Sequence, residues 1–460
     1  MITSAWGQSW RSSTWFTITA MIAALFTASF IVPILPYMLE ARIGLDPSRT
    51  QRTISWLLAE NAAVDVIVRI PLAHFADKST STRGWLLSAL GIIMMNTAAT
   101  AAGLYSDEVQ VPVLFITQSV QAVASSIMWV AGYTTVAKVT SIENTAKTYA
   151  LISMASCLGY STGPMVSGTL LQLKGYWVAW TSAFLLLGID MVFRLLMVEK
   201  KREETDTTGD SVTEQNPDSE RSALLSTHTE ESETYAAPKT IPNFYRCIFS
   251  KVNFVAGVYL SVVFGLLITS FNATIPLHVR DVFGWGGMQS GFMFACLQAP
   301  RLAMSPFVGW LKDRFGTRIP TAFGFATLAP LFWLLGVPGS AQFPSIDVET
   351  WGSTIYVSAM ILIGFQTTFL NGSGMIEATG MLSIWSSYSW LFTDSREVAM
   401  SELQKEYPGA FGPNGGKSRA VAIVGVAWTL GACIGPLLGG TLNEKFGYYV
   451  MNCVVVGSDH

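Results

Sequence analysis

The sequence predicts an all-α membrane protein made of two pseudo-symmetric six-helix bundles. Three observations carry that expectation. Half of the 460 residues are hydrophobic and only 13% are charged, whereas soluble domains carry about a quarter charged residues, and mean hydropathy is +0.41. The chain falls into apolar runs of about the 20 residues that a bilayer requires of a helix, separated by short polar links. Two motifs also occur twice, once in each half.

The first six runs lie near 15–38, 53–75, 84–105, 111–137, 148–173 and 176–198. No small-residue cleavage site follows the first, so it reads as a retained span rather than a signal peptide. After a polar gap the runs resume near 252–277, 288–311, 317–338, 353–378 and 420–442. A twelfth begins at Phe446 and stops at Gly457-Ser458-Asp459-His460, a tail too short to cross, so this span reads as truncated. Residues 1–198 and 252–460 are therefore the expected bundles. Between them 199–251 is rich in Glu, Ser and Thr and poor in aromatics, a composition that does not support a packed core, and it reads as a disordered cytoplasmic linker. Within it Glu220-Arg221-Ser222-Ala223-Leu224-Leu225 fits an acidic dileucine sorting signal, a pattern that also arises by chance. Gly380–Ser395 is an extra apolar piece without a first-half counterpart. It reads either as an interfacial helix or as translated intron.

Loop charge sets the expected orientation. With the N-terminus inside and the linker set aside, twelve Lys and Arg fall on the inner side and six on the outer. The short charged hairpins between spans two and three and between spans eight and nine then face the cytoplasm.

These hairpins are the first repeated motif. The second-half copy is Gly309-Trp310-Leu311-Lys312-Asp313-Arg314-Phe315-Gly316-Thr317-Arg318; the first, worn copy runs from Ala73 to Arg83 and keeps Asp77, Lys78 and Arg83. Cations at the end of an apolar helix meet both the negative end of its dipole and the aqueous interface, and Gly316 permits the tight turn. The second repeated motif is Gly159-x-x-x-Gly163-Pro164-x-x-x-Gly168 in span five, matched by Gly431-x-x-x-Gly435-Pro436-x-x-x-Gly440 in span eleven. Small residues four apart let helix backbones approach closely, and a proline inside a span bends it.

On these motifs the chain resembles the major facilitator superfamily. The hairpin Gly309–Arg318 matches that family's inter-span signature almost position for position, and Gly163-Pro164 is similar to its antiporter-type fifth-span motif. Asp190-x-x-x-Arg194-Leu195-Leu196-Met197, Thr274-x-Pro276-Leu277-His278 and Pro408-Gly409-x-Phe411-Gly412 resemble fungal relatives of vesicular amine transporters and twelve-span drug:proton antiporters. The resemblance implies two rocking bundles, with a substrate cavity walled by spans one, four, seven and ten. Candidates there are Tyr37, Gln118, Gln121, Trp129, Asn272, Gln366 and Asn371. It also implies that the hairpins, through Asp313 and Arg314, act as cytoplasmic latches. One departure stands out: in span four, Gln118-Ser119-Val120-Gln121 keeps a family glutamine and replaces the arginine associated with proton coupling.

Ionisable residues at membrane depth read as functional by default. Asp65 and Arg69 are one turn apart on span two, and Arg301 on span eight lies as far before its hairpin acid as Asp65 does before Asp77. Either the three form a charge network between the bundles, or Asp65 and Arg69 merely neutralise each other. Glu60 and Glu377 are the other acids able to carry a proton, unless each sits in water at its end of the membrane. Asp190 and Arg194 read as a structural pair, and His74 and His278 as interfacial. An apolar cavity with few polar groups suits amphipathic organic molecules.

The expected function is secondary transport, with proton-coupled efflux of drugs, toxins or secondary metabolites as the leading reading. An uncoupled facilitator or importer is the rival, and a non-transporting sensor or inactive truncated relative is the reading from another class. Spacing offers no nucleophile–base arrangement, metal cluster or nucleotide loop, and the five cysteines are scattered, so neither an enzyme nor a metal or cofactor is expected. The expected partners are a small organic substrate, protons and the lipid bilayer, without nucleic acid. The chain is expected to act as a monomer, in the plasma membrane rather than the vacuole.

Overall fold

The computed structural model describes residues 13–78, 82–102, 110–139, 145–196, 244–344, 351–374 and 417–457. The dileucine segment, Glu377 and Gly380–Ser395 lie outside them. So do the side chains of His74, Asp77, Lys78, Arg83 and Asp313.

The first bundle comprises α1 (Ser13–Phe30), α2 (Pro47–Lys78), α3 (Thr82–Ala102), α4 (Gln110–Val139), α5 (Thr145–Lys174) and α6 (Tyr176–Leu196). The second comprises α7 (Val252–Phe283), α8 (Gly287–Phe315), α9 (Arg318–Gly336), α10 (Ser353–Leu370) and α11 (Lys417–Val456). Gly447, at φ 85° and ψ 167°, breaks the last of these; the helical segment beyond it is named α12 (448–456). This is the all-α, two-bundle architecture that the apolar runs predicted.

Two elements differ from expectation. The first span is not one rod: Met21–Phe30 and Leu35–Arg42 meet at 43°. Pro33 and Pro36 flank the break, and a proline ring removes an amide donor and clashes with the preceding turn. Further, among the described residues seven helical stretches, or eight with that bent pair, are long and apolar enough to be recognised as spans by composition. Helices α2, α5 and α8 are not among them, although they have 32, 30 and 29 residues, each about 45 Å at 1.5 Å per residue. Their polar residues lower the apolar average, and many of these lie where the bundles meet.

The perimeter is apolar: Ile67, Met95, Ile116, Leu185, Tyr259 and Ile319 are all exposed, as side chains facing lipid should be. Inside, α7 to α10 and α12 share one core around Phe271, Phe332 and Tyr356. In the first bundle Phe30, Leu39, Leu57 and Trp180 form a second core, which Ala273 and Leu277 of α7 join.

The duplicated glycines explain the helix spacing. A Cβ at Gly159 would lie 2.8 Å from the Ile22 carbonyl oxygen, and one at Gly163 2.5 Å from that of Phe26, so α5 rides on the α1 backbone. A Cβ at Gly431 would lie 2.8 Å from the Leu266 nitrogen, and one at Gly435 2.5 Å from the Leu266 oxygen, so α11 rides on α7 in the same way. The third glycine of each set reaches across to the other bundle: Gly168 abuts Gly287 of α8, and Gly440 abuts Ser55 of α2.

Candidate functional site

The two bundles meet along α2–α11 and α5–α8. Near the α1–α2 loop, Glu40 pairs with Arg280 of α7 at 2.6 Å. Gln51 donates to the Ala273 carbonyl at 3.0 Å and accepts from Asn443 of α11 at 3.2 Å. The Met288 backbone amide of α8 donates to Gln172 of α5 at 3.0 Å. Next to it Gly291 closes on the Pro164 carbonyl.

Deeper along α2, the Asp65 carboxylate collects donors from three helices. Arg69 pairs with it from the next turn, and Ser126 of α4 donates to its other oxygen. Thr429 of α11 donates across the bundle boundary at 3.2 Å. The same Thr429 hydroxyl also faces the Gly425 carbonyl at 3.1 Å, and a hydroxyl has one proton for the two acceptors. The local Asp65–Arg69 pair is therefore present and is built into an inter-bundle contact. Arg301 is not an ion-pair partner of Asp65 here. Its Nη1 donates to Gln298 at 3.3 Å, and its guanidinium lies 5.1 Å from the Phe264 ring centre. Tyr160 of α5 lies within electrostatic reach of Asp65, Arg69 and Arg301 together.

Earlier on α2, Glu60 accepts from Ser119 of α4, and its second carboxylate oxygen is buried without a partner. Asn61 donates to the side-chain and backbone oxygens of Gln118 at 3.2 and 2.9 Å. Gln118, which the family resemblance sets at the span-four arginine position, is thus a neutral group bonded to Asn61.

The other cavity candidates scatter. Gln121 turns toward α3 and accepts from Asn96 at 3.1 Å. Trp129 packs on Ile18, Met21 and Ala155. Tyr37 lies near the α1–α2 loop, its ring 6.4 Å from that of Tyr176. Asn272 is half-buried, and Gln366 carries a buried oxygen without a partner. Asn371 caps the end of α10, its carbonyl accepting from Lys312 at 2.7 Å.

In the hairpin Lys312 is buried by that contact, whereas Arg314 is exposed over Trp310 and Phe315. Gly316, at φ 77°, occupies a backbone region that favours glycine; a Cβ at Gly309 meets nothing within 4 Å. Arg194 is wholly buried and joins Asp190 to Thr19 of α1, at 3.2 and 2.8 Å. His278, near the end of α7, is covered by protein. It is 7% exposed and stacks on Tyr448 of α12 at 3.6 Å between ring centres.

Sequence reasoning missed Thr429, Ser126, Gln51, Asn443 and the Glu40–Arg280 pair. Hydroxyls and amides at helical spacing are common in spans, and nothing local marks which of them cross between bundles.

The Major Facilitator Superfamily model matches residues 17–387. The chain belongs to that superfamily. As a superfamily member it is an integral, multi-pass membrane protein of a secondary-transporter family and not an enzyme; such transporters bind small-molecule substrates. It is 28% identical over 450 residues to the "Uncharacterized MFS-type transporter C18.02" of Schizosaccharomyces pombe, covering 95% of this chain and 92% of the relative. It is 25% identical over 478 residues to the "MFS-type transporter ppzB" of Metarhizium rileyi, covering 98% and 93%. Among solved structures it is similar to a D-xylose-proton symporter, with a TM-score of 0.66, 13% identity and coverage of 97% and 95%. A POT family transporter bound to a thioalcohol-conjugated peptide gives a TM-score of 0.64 at 12% identity, covering 97% and 94%. These structural likenesses establish the superfamily fold.

Proposed function

We propose that the chain exports small amphipathic organic compounds in exchange for protons, by rocking of the bundles 1–198 and 252–460 about the linker 199–251. The observation that carries this reading is the Asp65 carboxylate, bonded to Arg69 and Ser126 in one bundle and to Thr429 in the other. Protonation removes the charge that attracts these donors and turns one carboxylate oxygen into a donor itself. Thr429 then keeps the Gly425 carbonyl of its own helix, and one tie between α2 and α11 is lost. Binding a proton and parting the bundles become one event. Glu60, bonded to Ser119, is the second proton site, with Glu377 a further candidate.

The loop charges support a cytoplasmic N-terminus and cytoplasmic hairpins. The cross-bundle bonds near the α1–α2 loop then close the outer face. In the opposite state the hairpins, through Asp77 and Asp313, hold the inner face. The reading is of a monomer in the plasma membrane.

An uncoupled facilitator is the second reading, favoured by Gln118, a neutral amide bonded to Asn61 where the antiporter motif has a cation. Accumulation of an amphipathic dye in cells expressing the chain, with and without a protonophore, separates the two. Proton exchange predicts lowered accumulation that the protonophore abolishes. Lowered accumulation that persists selects the facilitator, and unchanged accumulation at good surface expression contradicts both.

A further inference from the structure

The paired charges of the described residues sort unevenly. Asp65 has Arg69, Asp190 has Arg194, and Arg280 has Glu40 and Asp281. Arg301 has no carboxylate partner among the described residues. Its only hydrogen-bond acceptor there is the neutral Gln298, itself buried, and its Nε is buried and unpartnered. A guanidinium offers five donors in a planar fork. One is used, and the face of the group is occupied by Phe264.

Among the described side chains the neighbourhood adds positive charge rather than cancelling it. Around Tyr160 lie one carboxylate, Asp65, and two guanidiniums, Arg69 and Arg301. A guanidinium without an ionic partner at membrane depth is expensive, and a carboxylate brought by a ligand would offset that cost.

We propose that the transported compound is an organic anion whose carboxylate pairs with Arg301 while its apolar body packs on Phe264. A carboxylate accepts two parallel bonds from the fork, a charge-assisted arrangement stronger than neutral hydrogen bonding. An amine would be repelled by the net positive surroundings. This proposal rests on the transport reading above and narrows its substrate class.

The test uses the full chain in lipid nanodiscs, without a gradient, and three matched probes: 4-phenylbutyrate, its methyl ester and 4-phenylbutylamine. Binding is read by tryptophan fluorescence and by the shift in unfolding temperature. The acid is expected to bind on the order of tenfold more tightly than the ester or the amine, the factor one good polar pair supplies. Arg301→Gln should bring the acid down to the level of the ester and leave the ester unchanged, while Arg301→Lys, which keeps the charge but not the fork, should restore part of the preference. Equal affinity for acid and ester overturns the proposal, as does absence of acid binding to folded protein. So does an Arg301→Gln variant that weakens all three probes alike, which would make Arg301 a structural group. Because no gradient is applied, acid preference without proton-driven export would sink the export reading alone.

Discussion

Helices α5 and α11 carry the same glycine–proline pattern and take the same position in their bundles, yet the boundaries they form differ in kind. At α5–α8 the contact is backbone on backbone: Gly168 on Gly287, and Pro164 on Gly291, with Gln172 and the Met288 amide as a polar clasp at the end. At α2–α11 the contact is polar along its length, from Asn443–Gln51 near the loop to Thr429–Asp65 in the interior. Glycine-to-glycine packing offers no ionisable group at the first boundary. The second contains the Asp65 carboxylate, on which the proposed proton exchange rests. The duplicated frame is the same, and the two seams differ in the side chains that fill them.

The largest effects should come from glycines that both copies use inside a bundle. Gly163→Val and Gly435→Val each place a branch against a carbonyl 2.5 Å from the Cβ position. Each should lower stability by about 1–3 kcal/mol, the usual penalty of overpacking, read as a loss of unfolding temperature in detergent. A large effect at one and none at the other would mean that the two helices are not equivalent.

Glycines at the seams should behave differently. Gly440→Val crowds Ser55 across the boundary, where the bundles can separate to relieve it. It should preserve most of the stability, impair transport, and raise the reactivity of a probe attached near the α1–α2 loop. A loss of stability as large as that of Gly435→Val would remove the distinction between seam and interior.

How far these features were legible depends on the range of the interactions. Apolar runs, hairpins and glycine spacing are local and periodic, so the bundles could be read directly. Helices α2, α5 and α8 were recognisable by length despite their polar content. Thr429 was not legible, because its partner Asp65 lies 364 residues away and one threonine in a span has no distinguishing neighbour. The stacking of Tyr448 on His278 was not legible either, because the two lie far apart along the chain. The 43° bend after Phe30, beyond which Tyr37 lies against Tyr176, was not read from the sequence either.

A smaller effect is expected from the Glu40–Arg280 pair, whose side chains are 22% and 34% exposed. A double-mutant cycle of Glu40→Gln and Arg280→Gln on unfolding should give a coupling of about 0.5–1 kcal/mol, because solvent screens pairs of this exposure. A coupling of several kcal/mol would make this contact, and not the α2–α11 seam, the main tie.

The smallest effect belongs to Asp46, which starts α2. Its carboxylate accepts from the Ser48 amide at 2.8 Å, ahead of Pro47 in the first turn. That hydrogen bond holds the carboxyl below its ordinary value of 3.8. A depressed carboxyl stabilises the folded state above that value, and the contribution is lost as pH falls through and below it. Asp46→Ala should therefore lower the unfolding temperature slightly at neutral pH and by less at pH 3, while a pH-independent loss would point to some other role.

The most direct test of coupling at the polar seam is the distance between spin labels at the exposed positions Arg49 and Glu444, measured in membranes across pH in a cysteine-free background. Wild-type sequence around the seam should show a population of longer distances growing as pH falls. Asp65→Asn, already neutral, should show that population at every pH. An Asp65→Asn variant that keeps the full pH response would contradict the account.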